Sequence, residues 1–284
     1  MNSSEWFTEQ MLSTGTAFGL KIKQKLHEEH SDFQFLEIYE TETFGNLMVI
    51  DGCTMVSTRD NFFYHEMITH PALYVHPNPK WVVIIGGGDC GTLREVLKHS
   101  SVEHAVQIDI DERVTRLAEI YFPELCESNN DPRAELKFID GIKWVKDAQP
   151  NSVDILIIDS TDPVGPAEGL FGEAFYRDCV RCLADDGILV QQSESALLHL
   201  KLIGEMRTAM SNAGLTQQQT LFFPQCLYPS GWWSATMASK TALPSFREQD
   251  CANKPFDTIY YNTDIHKAAL AQPEFFKKAF EPKA

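Results

Sequence analysis

The chain has 284 residues, of which 43% are hydrophobic, 23% charged and 11% aromatic, a composition that fills a large core and excludes disordered and fibrous classes. Its longest unbroken aliphatic run is Val82–Ile85, against the roughly 18 apolar residues of a membrane span, so no membrane association is expected. The formal charge of −16 repels phosphate polymers, which removes nucleic acid as an expected partner and suits a cationic small molecule.

The opening MNSSEWFTEQ is polar and acidic and lacks the basic start and apolar centre of a secretory signal, so the cytoplasm is the expected compartment. The seven cysteines are then expected as free thiols. Residues 19–58 read as short strands: GLKIKQKL alternates apolar residues with lysines, FQFLEIYE follows, and NLMVIDG and TMVSTRD flank a turn at Asp51-Gly52. From Asp60 the period turns helical through Phe63, Met67, Ile68 and Leu73, with Pro71 expected to disturb the last turn.

Strands and helices then alternate: WVVIIGG, a helix from Thr92, HAVQIDI, a helix from Glu112 to Tyr121, AELKFID, a helix near Ile142, VDILIID, a helix from Glu173, and GILVQQS. That cadence predicts a mostly parallel sheet covered on both faces. A helix over roughly 197–212 leads to LTQQQTLFF and WWSATMAS, an expected antiparallel pair, and the tail beyond Thr241 reads as a helical wrap. The expected division is an N-terminal β-strand domain over 1–59 and a Rossmann-like α/β domain over 60–284.

The strand WVVII runs into Gly86-Gly87-Gly88-Asp89-Cys90-Gly91, a G-x-G-x-x-G loop between strand and helix, and Asp109 ends the next strand 23 positions after Gly86. This is the spacing of a glycine turn and a ribose-binding carboxylate, and it predicts an adenosine pocket. Asp89 inside the loop would oppose a pyrophosphate, which disfavours NAD and favours a nucleoside with a cationic tail, such as a sulfonium with an amine. Asp140-Gly141 ends the third strand, where an adenine edge would lie if it is more than a turn. The fourth strand ends in Asp159, with Asp162 three residues on and a Pro/Gly loop reaching Phe171. Asp162 alone fits an acidic N-cap; two carboxylates beside a cationic ligand fit function, and the loop fits a lid.

Two patterns are set aside on geometry. His65 and His70 are five apart, so they sit about 140° apart around a helix and share no metal face. Cys179-Val180-Arg181-Cys182 is a CxxC in a helical run with no second pair, which reads as buried thiols. Trp232 and Trp233 are adjacent in a strand, so one is expected to face the core and the other outward, and only one need be functional.

With RDNFFYHEM at 59–67, GGGDCG at 86–91, DIDERV at 109–114, DSTDPVGPAEGLF at 159–171 and YPSGWWS at 228–234, the chain resembles the spermidine synthase family, the polyamine aminopropyltransferases, over nearly its whole length. The resemblance implies a methyltransferase-like Rossmann sheet after a small N-terminal antiparallel β domain, in a homodimer or homotetramer. It implies transfer of an aminopropyl group from decarboxylated S-adenosylmethionine, a co-substrate, to putrescine, with no cofactor and no metal. Carried onto this sequence, Asp159 is the proton acceptor, and Gly86, Gly88 and Asp89 hold the donor, with Asp89 on its amine. Asp109 holds the ribose, Asp140 and Gly141 the adenine, and Pro166 packs on the adenine. Gln34, Tyr64 and His65 reach in from the N-terminal part, while Asp162, Gln192 and Tyr228 line the acceptor channel.

Three positions depart from the family pattern: Asp109 where Glu is usual, Cys90 where Gly is common, and Ile139 where a second Asp often precedes Asp-Gly. All three bear on the donor pocket. Two other classes share parts of the pattern. A diamine N-methyltransferase using intact S-adenosylmethionine has the same loop and sheet, and a noncatalytic polyamine-binding relative has no need of the Asp159/Asp162 pair.

Overall fold

The computed structural model describes residues 5–161 and 169–280. Asp162, Pro166 and most of the expected lid therefore lie outside the described residues. Five strands, β1 (Trp6–Met11), β2 (Thr16–His30), β3 (Phe35–Thr41), β4 (Asn46–Ile50) and β5 (Cys53–Ser57), pair in chain order as an antiparallel meander. The sheet starts earlier than the alternating pattern from Gly19 suggests, because WFTEQM pairs with residues 16–21 through a tight Met11–Thr16 turn.

The central strands β3 and β4 are buried on both faces, to which successive side chains alternate. Leu36, Ile38, Met48 and Ile50 form one cluster with Val114, Leu117 and Phe122, while Leu47 and Val49 pack with Leu20, Tyr39 and Leu227 on the other side.

Helix α1 (Asn61–Val75) crosses from this sheet to the next and runs through Pro71 to Val75, further than the proline signal implies. Every residue from Tyr64 to Val75 is buried, so tertiary packing outweighs the hydrogen bond that Pro71 cannot donate. Glu66 fastens the C-terminal tail to this helix. Its Oε1 accepts from Ile259 N at 2.7 Å, and its Oε2 accepts from Tyr260 N and Tyr261 N at 2.9 and 2.7 Å. Glu66→Gln puts an amide donor among these donors, and a buried unpaired donor costs about 1–3 kcal/mol. The urea midpoint is therefore expected to fall. An unchanged midpoint would show that the tail is held otherwise.

The second sheet comprises β6 (Trp81–Gly86), β7 (His104–Asp109), β8 (Ala134–Phe138), β9 (Val153–Asp159), β10 (Leu183–Gln192), β11 (Gln217–Pro224) and β12 (Trp232–Ser239). Its order is β11-β12-β10-β9-β6-β7-β8, parallel from β8 to β10 with β12 and β11 antiparallel at the edge. Helices α2 (Gly91–Leu97), α3 (Glu112–Tyr121), α4 (Gly141–Asp147), α5 (Glu173–Cys182) and α6 (Leu200–Ala213) connect the strands, and α7 (Glu248–Ala252), α8 (Thr263–Ala269) and α9 (Glu274–Phe280) follow in the tail.

Alternation along β6 splits the core: Val82 and Ile84 face α1 and α2, while Val83 and Ile85 face the α5 side. Trp233 is buried on one face and Trp232 packs half-buried on the other, rather than facing outward as expected, because each face carries helices. Cys179 and Cys182 are buried free thiols. Among the described residues, no helix is long and apolar enough to cross a membrane.

Candidate active site

Strand order reverses between β6 and β9, and ligands of open α/β sheets bind in the crevice outside the carboxyl ends at such a point. Gly86 and Asp159 are paired neighbours there. Gly86 has φ +83°, and a Cβ on it would lie 2.1 Å from the Asp159 carbonyl oxygen. Gly87 N donates to that same oxygen at 2.8 Å. The glycine loop is thus moulded against the strand that carries Asp159.

The Asp159 side chain is held at both oxygens. Tyr64 from α1 donates its hydroxyl to Oδ1 at 2.7 Å, and Thr92 from α2 donates to Oδ2 at 2.6 Å. Burial pushes its carboxyl above the ordinary value and the Asp89 charge adds to that, while His65, Thr92 and Tyr64 partly offset both. The result is a carboxylate poised to take a proton more readily than a solvated one.

Asp89 lies in the loop before α2. Its Oδ1 accepts from Gly91 N at 2.8 Å, and its Oδ2 is 3.1 Å from His65 Nε2. Burial opposes its ionisation, but His65, the Gly91 amide and Arg94 outweigh it and leave the carboxyl below its ordinary value. Burial likewise opposes charge on His65, and Asp89 overcomes it, so the imidazole sits above its ordinary value. The pair fits this closely because residue 91 is glycine: a Cβ there would meet the His65 ring at 2.1 Å. Cys90 has φ +69° in a position where glycine is free of strain, at a cost of about 1–2 kcal/mol. Its buried thiol accepts from Gln107 Nε2 at 3.4 Å.

At the end of β7, Asp109 is pushed up to about 6, chiefly by burial, and its Oδ1 accepts from Asp111 N at 2.8 Å. Asp111 caps α3 through Arg113 N and receives Ser31 Oγ and Gln34 Nε2 on its other oxygen, at 2.6 and 2.9 Å. Gln34 therefore reaches Asp111, two positions after Asp109. Gly88 backs on to Asp109, whose Oδ2 a Cβ would meet at 2.7 Å.

The remaining expected residues spread outward. Asp140 is exposed and N-caps α4 by accepting from Ile142 N and Lys143 N, and Gly141 lets the chain close on Ile85. Gln192 is buried at the end of β10, where its amide donates to Glu194 Oε1 at 3.1 Å. Tyr228 packs edge-on to Tyr64 at 5.7 Å between ring centres and donates its hydroxyl to Met55 O at 2.7 Å.

The structure thus gathers Tyr64, His65, the glycine loop, Asp89, Asp109 and Asp159 into one crevice, with Gln34, Gln192 and Tyr228 at its margins. Sequence reasoning passed over Thr92 and Asp111. Thr92 is the second residue of the helix that the loop opens, and Asp111 stands two after Asp109 at a helix N-cap, so both positions were open to inspection.

Comparison with known proteins shows the family. The spermine/spermidine synthase domain matches residues 61–249, and the spermidine synthase tetramerisation domain matches residues 5–57. This chain belongs to the spermine/spermidine synthase family. Similar relatives named polyamine aminopropyltransferase include those of Methylococcus capsulatus, 68% identical over 98% of both chains, and Thioalkalivibrio sulfidiphilus, 63% identical over 96% of both. Among solved structures, a spermidine synthase in complex with the transition-state analogue AdoDATO is 35% identical with a TM-score of 0.94, covering 98% of this chain and 95% of that one. The Thermotoga maritima spermidine synthase is 36% identical with a TM-score of 0.91, covering 96% and 93%. The family's two matched segments correspond here to the meander and to the Rossmann-like sheet with its switch-point crevice.

Proposed function

We propose that this chain transfers the aminopropyl group of decarboxylated S-adenosylmethionine to putrescine, giving spermidine and methylthioadenosine. It is an enzyme, a polyamine aminopropyltransferase of the family just described. The observation that carries the residue-level reading is Asp159, buried at the switch point, held at both oxygens and set beside a second carboxylate.

In this reading Asp159 attracts the ammonium of the acceptor and takes its proton. The freed nitrogen lone pair attacks the methylene next to the sulfonium, the carbon–sulfur bond breaks, and its electron pair neutralises the sulfur of the departing methylthioadenosine. The sulfonium supplies its own leaving group, and the donor is consumed as a co-substrate. Asp89, with His65 behind it, holds the amine of the donor tail. Asp109, backed by Asp111 and Gln34, holds the ribose hydroxyls. Gly86 and Gly88 admit the nucleoside, and Asp140 with Gly141 meets the adenine. Tyr64, Gln192 and Tyr228 guide the acceptor. Asp162 and Pro166 complete the channel and the adenine face in this assignment. Much of the rate then comes from holding nitrogen and carbon in line. The tetramerisation domain matched over residues 5–57 supports a homo-oligomer, a dimer or a tetramer.

The acceptor is tested by competition. With decarboxylated S-adenosylmethionine and equal concentrations of putrescine and spermidine, putrescine is expected to be consumed first. Faster aminopropylation of spermidine would make the chain a synthase of longer polyamines.

A further inference from the structure

Behind the crevice, between α1 and α2, lies a buried polar chain that the transfer chemistry does not touch. Glu95 on α2 and His70 on α1 are fully buried, and His99 after α2 is nearly so. Glu95 Oε2 is 3.1 Å from His70 Nε2, and His70 Nδ1 is 3.0 Å from His99 Nε2. Arg94 Nε reaches Glu95 Oε1 at 2.9 Å and Lys98 Nζ reaches Oε2 at 2.7 Å. Phe256 from the tail covers both imidazoles.

Glu95 is an acceptor, so His70 Nε2 carries a proton toward it, and a single proton lies between His70 Nδ1 and His99 Nε2. Burial, above all, and the nearby His70 hold His99 well below its ordinary value, in keeping with a neutral ring. Burying a carboxyl group without a partner is costly; Arg94 and Lys98 satisfy this one from its own helix, and His70 ties it to α1.

Those two helices assemble the site. α1 supplies Tyr64 and His65, and α2 supplies Thr92 and the Gly91 amide. We propose that Glu95 is a positioning residue for the transfer reaction, holding α1 against α2 through His70 so that Tyr64 and Thr92 together grip the two oxygens of Asp159. The inference rests on the reading of Asp159 as proton acceptor.

Its signature is a pH profile. The groups acting on Asp159 are Asp89 in the glycine loop, Asp109 at the end of β7, Tyr64 and His65 on α1, and Thr92 on α2. Tyr64 and Thr92 favour its ionised form, so loosening either hydrogen bond raises its pKa, and turnover, which needs the carboxylate, then begins at higher pH.

Two substitutions of His70 separate the contacts. Asn keeps a hydrogen-bonding amide beside His99 but is too short to reach Glu95, whereas Gln places its amide donor where Nε2 stood. In the full-length enzyme, His70→Asn is expected to move the acid limb of kcat up by about one pH unit and to lower kcat about tenfold below that limb. His70→Gln is expected to stay close to wild type. Glu95→Asp keeps the charge for Arg94 and Lys98 but withdraws it from His70 by one methylene. It is expected to behave like His70→Asn, and it decides the matter if His70→Asn does not fold.

An acid limb coincident with wild type in a folded His70→Asn or Glu95→Asp protein would overturn the inference. So would a His70→Gln limb displaced as far as that of His70→Asn. Asp159→Asn separates the two levels: an acid limb that persists in it overturns the proton-acceptor reading itself.

Discussion

Purified Asp159→Asn protein is expected to keep its fold and lose about 10²–10⁴-fold in turnover, the range typical of a general base. Asn retains the shape and still offers an oxygen to Tyr64, and the backbone carbonyl that receives Gly87 N is untouched. The acceptor amine, however, stays protonated and carries no lone pair to attack with.

Stability should move the other way or not at all. Asp159 is an acid whose pKa is raised in the folded state by burial and by Asp89. Folding therefore favours its protonated form, and its ionisation at neutral pH opposes folding. Removing it takes away that penalty, which is present above its folded pKa and absent below its unfolded one. A melting temperature at pH 7 equal to or above wild type, with turnover collapsed, is the expected pair of results. Near-wild-type turnover would withdraw Asp159 from its role.

The second large effect concerns selectivity. Ordinary S-adenosylmethionine carries a carboxylate on the carbon that also bears the amine assigned to Asp89. Two unit charges ~4 Å apart at an effective dielectric of ~20 repel by roughly 4 kcal/mol, so even a strongly screened contact favours the decarboxylated donor. Asp89→Asn keeps an oxygen for Gly91 N and removes the charge. The dissociation constant of the decarboxylated donor should rise, while that of S-adenosylmethionine changes less or falls. Their ratio, measured by calorimetry, is expected to shrink by roughly 10- to 1,000-fold.

His65 sets the pH dependence. Its raised pKa makes it a cation beside Asp89 at lower pH, which compensates the charge. Wild-type discrimination should therefore sharpen toward alkaline pH as His65 becomes neutral. A ratio unchanged by Asp89→Asn would mean that this carboxylate does not face the donor tail.

The sequence made the parallel sheet legible because strands such as WVVIIG and VDILIID are short β-branched runs ended by Gly or Asp, with helical periods between them. Trp6–Met11 escaped notice because an edge strand needs no apolar face of its own. Pro71 was expected to disturb the last turn because local chemistry says so, and the burial that overrides it is a property of the assembled core.

Within the crevice, Asp89, Asp109 and Asp159 were legible from their places at strand ends and in a glycine loop. Their partners were harder to see. Tyr64 and His65 are consecutive on a helix, about 100° apart, and they reach Asp159 and Asp89 respectively only because α1 lies across the strand ends. Asp140 stood out as a strand-end carboxylate, and the structure shows that its side chain also caps α4. The Glu95–His70–His99 chain joins residues 25 to 29 positions apart, and no local pattern marks it.

The most direct measurement incubates the wild-type protein with putrescine and either decarboxylated or intact S-adenosylmethionine, then weighs the polyamine product. The account predicts a product heavier by one aminopropyl group with the decarboxylated donor, methylthioadenosine in equal amount, and no methylated diamine with the intact one. Methylated putrescine from S-adenosylmethionine, with no aminopropyl product from its decarboxylated form, would contradict it.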